Sequence, residues 1–266
     1  MKRHIILLLL AVAMLFVLAA CDSSGGKLVV GVTQFEPMNF LDGSGNWTGF
    51  DTEFALAVGE KLGMEVEFQE IEWSRKFFEL EAGNIDCIWN GFTANTDDGQ
   101  TGRPRVEDAD MSYSYMINRQ CAVIRISRAG EFTSVADLAG KTAAVERGSA
   151  GDSLITGIIG SEMVIGSTAQ RDTLIEVKSG AVDFSVIDII LAQQVTGTGD
   201  FTDLMIADIV FDAEEEVYAI GFSKGSELTA RVNSAMQELF NEGKMEELAI
   251  KYKLDKSLKL STSPIG

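Results

Sequence analysis

Histidine is nearly absent from this chain, so the residue type behind much familiar catalytic chemistry is missing. The 266 residues include one histidine, His4, three cysteines and three prolines. His4 lies in an N-terminal leader that we expect to be removed, which would leave a working protein with no histidine. This argues against a Ser-His-Asp or Cys-His nucleophile and against histidine-ligated metal sites, and we expect no metal and no cofactor.

Positive charge is also scarce. The chain has 22 Lys and Arg residues against 40 Asp and Glu residues, and its formal net charge is −18. A nucleic-acid partner requires clustered positive charge to meet its phosphates, so the composition argues against one. Because 46% of the residues are hydrophobic, the composition is typical of a folded globular protein.

The first twenty residues have the pattern of a secretory signal peptide. A short basic start, Met1–His4, is followed by an apolar run to Ala20 that ends in small residues. The sequence Leu-Ala-Ala-Cys that ends at Cys21 resembles a bacterial lipobox. The resemblance implies a signal peptide over 1–20 and a Cys21 that carries lipid such as palmitate. A flexible tether over 21–26 would follow. An uncleaved signal anchor is the alternative.

The two remaining cysteines lie in strand-like runs. Cys87 belongs to the run 85–92, and Cys121 belongs to the run 120–126. Outside the cytoplasm a disulfide between them could form, because that compartment is oxidising. Two buried free thiols fit the same pattern at least as well, so the sequence leaves both alternatives open.

Hydrophobic periodicity predicts strands alternating with helices. We expect strands over 27–33, 65–71 and 85–92, with helices over 52–62 and 74–82 between them. This β-α-β-α-β order with short links implies an open α/β sheet. A polar loop over 93–110 separates it from a second α/β unit. Because about 240 residues remain after the leader, two lobes fit better than a single core.

Several local segments occur in the order known from one family. They are FEPMNF at 35–40, GFDTE at 49–53, AGNID at 82–86, NGFT at 90–93, VADLAGK at 135–141 and YAIGFSKG at 218–225. In this order they resemble the amino-acid-binding receptors of bacterial ABC transporters. These receptors are solute-binding proteins of family 3, with the periplasmic-binding-protein type II fold. The resemblance covers nearly the whole mature chain.

The resemblance implies an α/β protein of two lobes, each an open α/β sheet, joined by a two-strand hinge. Lobe 1 would comprise 27–117 and 216–258, lobe 2 would comprise 121–212, and 259–266 would be a tail. The hinge strands would cross near 116–121 and 211–217. In such a fold the ligand binds in the cleft between the lobes, and closure about the hinge buries it.

The family pattern also indicates which groups would hold the carboxylate of an amino acid. Counting back from Ser112 places the family's arginine at Arg105, and an arginine fork can bond both carboxylate oxygens. An insertion over 95–103 makes Arg103 a rival. Thr93, at the end of a strand, would add its hydroxyl and backbone N–H. The remaining donors would come from a glycine-rich turn at a helix start, from Ser149 and the backbone of Ala150.

Acceptors for the ammonium group are expected at strand ends as well. The motif that ends at Asp188 resembles the family's acidic position, and the carbonyl of Gly91 would be the second acceptor. Four further residues match pocket-lining positions for the ligand's side chain: Phe35, Trp73, Asn90 and Glu146. Because Glu146 favours a cation or a hydrogen-bond donor, a polar or basic amino acid is the expected ligand.

The function that the resemblance implies is capture of a free L-amino acid and its delivery to an ABC permease and ATPase. The protein would be a monomer, not an enzyme, held by its lipid on the outer face of the cytoplasmic membrane. A stand-alone amino-acid sensor is one alternative. A dehydratase-type enzyme on the same fold is another, but a histidine-free chain suits binding better.

Overall fold

The computed structural model describes residues 25–265. The predicted signal peptide, Cys21 and most of the tether lie outside the described residues. Within them the strands are β1 (Lys27–Val32), β2 (Phe40–Leu41), β3 (Trp47–Thr48), β4 (Glu65–Glu70), β5 (Cys87–Ile88), β6 (Asp110–Met111), β7 (Ser114–Asn118), β8 (Gln120–Arg125), β9 (Ala143–Glu146), β10 (Val164–Ser167), β11 (Phe184–Asp188), β12 (Leu204–Ile206), β13 (Glu216–Tyr218), β14 (Gly221–Phe222) and β15 (Leu258–Ser261).

The helices lie between these strands, and several short 3-10 turns accompany them. They are α1 (Phe50–Leu62), α2 (Lys76–Glu81), α3 (Arg105–Asp108), α4 (Ala150–Ile159), α5 (Gln170–Ser179), α6 (Ile189–Val195), α7 (Glu227–Asn241) and α8 (Lys244–Lys251). None of the helices in the described part of the chain is long and apolar enough to cross a membrane.

Two five-stranded sheets form the centres of two lobes. In the first the strand order is β4-β1-β5-β14-β6, with β1 parallel to both β4 and β5. In the second it is β10-β9-β11-β8-β12, with β9 parallel to β10 and β11. We call the part built on the first sheet lobe 1 and the part built on the second lobe 2. The architecture is mixed α/β, as the sequence predicts.

Helix α1 shows how the local sequence sets these elements. Its apolar side chains Phe54, Ala55 and Val58 are buried on the first sheet. The helix ends at Gly63, which adopts the left-handed conformation with φ 66° and donates its N–H to the carbonyl of Glu60. The sequence predicts this ending correctly, and the helix begins two residues before the predicted start.

A third, three-stranded sheet connects the lobes. Strand β7 lies at its centre, antiparallel to β13 on one side and to β15 on the other. The two crossing strands are β7 and β13, and β15 adds to them a strand that the sequence does not predict. The expected tail over 259–266 is wrong in its first residues, because Leu258–Ser261 pair with β7, and Leu258 and Leu260 pack against the main core.

Other departures from the predicted elements have local causes. The strand expected over 85–92 is reduced to β5, because the chain turns at Gly91, whose φ is 56°. The VADLAGK segment at 135–141 forms a single 3-10 turn over Val135–Leu138. Further features were not predicted: the β2–β3 hairpin, helix α6, strand β12, and the short α3 and β6, which begin inside the predicted loop 93–110.

The two cysteines are buried and free. Cys87 lies in β5 of lobe 1 and Cys121 in β8 of lobe 2, so they belong to different sheets. Burial raises the pKa of both thiols, which keeps them protonated. Of the two alternatives that the sequence left open, the structure has the pair of buried thiols.

Candidate functional site

A narrow cavity lies between the lobes. Lobe 1 lines it with Thr33, Phe35, Trp73, Asn90, Gly91, Thr93 and Arg105, and lobe 2 lines it with Glu146, Ser149, Ala150, Gln170 and Asp188. All ten predicted site residues are among these twelve. Because both lobes contribute walls, the structure is that of a closed cleft.

Arg105 is the cationic group of the cavity. It is the first residue of α3, and only 1% of it is exposed. Its Nη1 donates to the carbonyl of Thr93 at 2.6 Å, and its Nη2 donates to the carbonyl of Gly148 at 3.0 Å. A guanidinium has five N–H groups and remains charged when buried, so further donors are available to an anion.

The structure places Arg105, and not Arg103, at the cavity. The side chain of Arg103 is 55% exposed and is paired on the surface with Asp108. Counting back from Ser112 therefore indicates the arginine that lies at the cavity, and its pairing with a ligand carboxylate stays a prediction.

The start of helix α4 faces Arg105 from lobe 2. Ser149 caps the helix, and its hydroxyl accepts the N–H of Asp152 at 3.0 Å. The next N–H groups, beginning with that of Ala150, have no partner within the helix, and the helix dipole makes this end positive. Together with Arg105, this turn forms an anion-binding corner at the boundary of the two lobes.

Asp188 ends strand β11 and forms the opposite, acceptor side of the cavity. Gln120 Nε2 donates to its Oδ1 at 3.0 Å, and the amides of Asn118 and Gln170 donate to its two oxygens. Burial raises the pKa of Asp188, and the three amide donors oppose that shift. The carboxylate is thus fixed in orientation, and it has no basic side chain bonded to it among the described residues.

A second carboxylate, Glu216, shares these amides. Asn118 Nδ2 and Gln120 Nε2 donate to Glu216 Oε2 at 2.7 and 2.9 Å. Glu216 begins β13, so the crossing strands and the cavity are joined through one hydrogen-bond network. Burial, and then the charge of Asp188, raise the pKa of Glu216 to about 7.

Glu146 ends strand β9 and is 4% exposed. Burial, followed by the neighbouring charge of Asp188, raises the pKa of its carboxyl to about 8, while Lys76 and Arg105 act in the opposite direction. A carboxyl in this environment ionises readily only when a cation is brought to it. The cavity thus offers one anion-binding corner and two carboxyl groups.

The comparisons with known proteins agree with this geometry. The family model of the bacterial extracellular solute-binding proteins, family 3, matches residues 28–255. The chain belongs to this family. Membership confirms the predicted resemblance, and the family is one of binding proteins.

Relatives of this family-3 protein include the arginine-binding extracellular protein ArtP of Bacillus subtilis. It is 30% identical over 268 residues, which cover 95% of this chain and 98% of ArtP. The L-cystine-binding protein TcyA of the same organism is 27% identical over 231 residues, covering 85% of this chain and 81% of TcyA.

A solved relative is a substrate-binding protein of an ABC uptake transporter from Streptococcus pneumoniae with bound histidine. It superposes with a TM-score of 0.76 at 30% identity, and the match covers 88% of this chain and 95% of that chain. This likeness confirms the predicted periplasmic-binding-protein type II fold.

Two residues lining the cavity of this family-3 protein were not predicted as site residues. Gln170 begins α5, and its amide donates to Asp188 while its Oε1 accepts the N–H of Asp188 at 3.0 Å. Thr33 follows β1, and its backbone N–H and hydroxyl both donate to Asn90 Oδ1. These roles depend on contacts with residues distant in sequence, and no local motif signals them.

The predicted aromatic walls are in place. Phe35 and Trp73 are both buried and line the cavity. The Trp73 ring packs edge-on against Phe92, with their centroids 5.9 Å apart. That Phe35 and Trp73 sandwich a ligand side chain stays a prediction.

Position 91 requires glycine because of its backbone conformation and the neighbouring Phe35 ring. A Cβ at this position would lie 2.4 Å from Phe35 Cε1, and its φ of 56° is strained for other residues. Its N–H donates to the buried carboxyl of Asp51 at 2.7 Å, which fixes the turn that follows β5. Burial raises the pKa of Asp51 to about 7.

We therefore expect Gly91→Ala to lower the free energy of unfolding by about 2 kcal/mol, because the new Cβ meets the Phe35 ring and the backbone is strained. Urea unfolding measures this. Gly43→Ala is the matched control, since that glycine is exposed, has an ordinary φ and has no atoms near the new Cβ. Equal stabilities of the two variants would contradict the assigned role of Gly91.

Proposed function

We propose that this family-3 protein captures a free amino acid with a cationic side chain, closes over it and delivers it to an ABC permease and its ATPase. The protein binds and releases the ligand unchanged. The observation that carries the choice of ligand is the buried carboxyl of Glu146, which lies beside a second carboxylate, Asp188, in one narrow cavity.

The charges of the cavity fit such a ligand group by group. Arg105 and the start of α4 suit one carboxylate, and Asp188 with the carbonyl of Gly91 suits one ammonium. Glu146 then remains, and a buried carboxylate is costly unless a cation pairs with it. An amino acid with a guanidinium or a second ammonium supplies that cation, whereas a neutral amino acid leaves Glu146 to be protonated.

Closure is the step at which these interactions become favourable together. Arg105 comes from lobe 1, whereas Asp188 and Glu146 come from lobe 2. A ligand that bridges them therefore stabilises the closed form more than the open form. The permease can then distinguish loaded from unloaded receptors by the arrangement of the lobes. Among the relatives, ArtP is named for arginine and the streptococcal structure holds histidine, two amino acids with basic side chains, whereas TcyA is named for L-cystine.

The first test compares the two arginines. Arg105→Ala should weaken amino-acid binding by about 3 kcal/mol or more, roughly a hundredfold, because the ligand carboxylate would be buried without its partner. Arg103→Ala is the matched control and should bind normally, because that side chain is on the surface. Isothermal titration calorimetry with arginine measures both. Normal binding by Arg105→Ala would refute the proposed carboxylate site.

The second test uses pH to detect the pairing of Glu146. With citrulline, the neutral isostere of arginine, the closed complex keeps a Glu146 pKa of about 8, whereas an exposed glutamate titrates near 4.3. Glu146 must then take up a proton when citrulline binds, and this uptake becomes less favourable as the pH rises. The affinity for citrulline therefore falls by up to about tenfold per pH unit between pH 5 and 8. Arginine pairs with the ionised carboxylate, so its affinity does not fall.

The preference for arginine over citrulline is therefore expected to grow from pH 5 to pH 8 and to level off above it. Glu146→Gln should remove this growth, because glutamine does not titrate. A preference that is equal at pH 5 and pH 8 in the wild-type protein would show that Glu146 does not face the ligand's side chain.

We also propose that lipid on Cys21 holds the receptor on the outer face of the cytoplasmic membrane. The lipobox-like sequence before Cys21 supports this. Cys21→Ser should leave amino-acid binding unchanged and move the protein from the membrane fraction to the soluble fraction of the expressing bacterium. Retention of the serine variant in the membrane fraction would favour the uncleaved signal anchor.

A further inference from the structure

The inserted loop 95–103 is a small, well-anchored hairpin. The backbone N–H of Asp98 donates to the carbonyl of Arg103 at 2.9 Å, and the N–H of Gly102 donates back to Asp98 at 2.8 Å. Asp98 Oδ1 accepts the N–H groups of Gln100 and Thr101, each at 3.1 Å. Asp98 Oδ1 therefore holds the loop together, and Asp98 Oδ2 is available to bond a residue outside the loop.

That oxygen bonds a buried lysine. Lys76 Nζ lies 2.5 Å from Asp98 Oδ2, and both side chains are almost fully buried. The ammonium also lies 5.1 Å from the ring of Trp73 and 4.8 Å from that of Phe77. All of these partners belong to lobe 1, so they hold the lysine in place on that lobe.

The same ammonium reaches across to lobe 2. Lys76 Nζ donates to the carbonyl of Gly148 at 3.0 Å, and Arg105 Nη2 donates to the same oxygen at the same distance. Gly148 directly precedes the turn whose N–H groups form the anion-binding corner. Two cations of lobe 1 are thus anchored to the base of that turn.

The loop itself also touches lobe 2. A Cβ built on Gly99 would lie 2.6 Å from Asp152 Cβ and 2.8 Å from the carbonyl oxygen of Ser149. These atoms belong to the first turn of α4, so the loop backbone packs directly against the start of that helix. Glycine permits this close approach in the closed cleft.

We propose that Lys76, Asp98 and Gly99 form an interlobe clasp, which sets how long the receptor retains its amino acid. The clasp holds the Gly148 turn against Arg105 in the closed form. This proposal rests on the proposed function, since it concerns the same cleft. Lys76 acts as a positioning residue: it lies outside the set that lines the cavity and binds the turn that does.

The physical argument is that the clasp adds interactions to the closed form alone. The Lys76–Gly148 bond and the Gly99 contact join different lobes, so separation of the lobes breaks them. The Lys76–Asp98 pair lies within lobe 1 and does not depend on closure. Contacts present only in the closed complex slow dissociation and leave the rate of encounter unchanged.

The main experiment removes the lysine without leaving an unpaired buried carboxylate. In Lys76→Met combined with Asp98→Asn, both charges are absent, and asparagine Oδ1 can still accept the loop N–H groups. Because Asp98 Oδ2 also lies 4.0 Å from Arg105 Nε, Asp98→Asn alone is the control for the loss of that contact. Stopped-flow binding of arginine should show dissociation that is faster by roughly ten- to a hundredfold, the effect of one hydrogen bond to a charged donor. The association rate and the melting temperature of the ligand-free protein should match wild type.

A second variant keeps the test informative if the double variant fails to fold. Gly99→Ala requires no unusual φ, but its Cβ meets α4 when the cleft is closed. We expect it to speed dissociation by roughly tenfold, the effect of a modest steric overlap in a packed contact, with the ligand-free melting temperature unchanged. Gly43→Ala, on an exposed turn of lobe 1, is the matched control and should dissociate like wild type.

Wild-type dissociation rates in both the double variant and Gly99→Ala would overturn the clasp. A lower ligand-free melting temperature, with an unchanged dissociation rate in the folded fraction, would also overturn it, because the residues would then serve stability alone. Failure of the wild-type protein to bind any amino acid is a different result. It would refute the proposed function, and it is seen before any variant is made.

Discussion

The arrangement of this protein follows from one constraint: a charge that is buried when the cleft closes must meet an opposite charge or a full set of hydrogen bonds. Leaving one partner out costs about 3–5 kcal/mol, roughly half of the binding free energy of a micromolar ligand. Arg105, Asp188 and Glu146 are all buried at the cleft. In the function proposed above, a ligand whose charges complement theirs favours the closed form most, so selectivity and closure have the same physical origin.

The α/β topology brings these groups together. Asp188 and Glu146 are the last residues of neighbouring parallel strands, and Thr93 and Arg105 follow the central strand of the other sheet. Strand ends meet at one edge of a sheet, where the adjoining helix starts supply positive potential. The amides of Asn118 and Gln120 then connect Asp188 with Glu216 on the crossing strands. The site and the strands that connect the lobes are consequently parts of one polar network.

Much of this could be predicted from the sequence, because the ligand-facing residues lie at fixed distances from local motifs. Counting back from Ser112 indicates Arg105 and leaves Arg103 as a rival, and the two strand-end acids are indicated by their resemblance to positions of the family pattern. What could not be predicted depends on partners far away in the chain. Gln170 is positioned by its hydrogen bonds with Asp188, and Lys76 is positioned by those with Asp98 and Gly148. Strand β15 is positioned by its pairing with β7. None of these contacts is indicated by a motif in the sequence around the residues that make it.

The buried pair of Lys76 and Asp98 is explained better by the difference between open and closed forms than by stability. Replacing a buried ion pair by apolar residues is often neutral or favourable for folding, so folding alone gives little reason to retain this one. A binding protein, however, depends on what changes at closure. Because Asp98 and two aromatic rings already hold the ammonium on lobe 1, Lys76 loses little side-chain freedom when it meets Gly148. A flexible surface lysine making the same bond would lose more conformational entropy at that step. The ion pair thus contributes little to folding stability, but it helps the closed protein to retain its ligand.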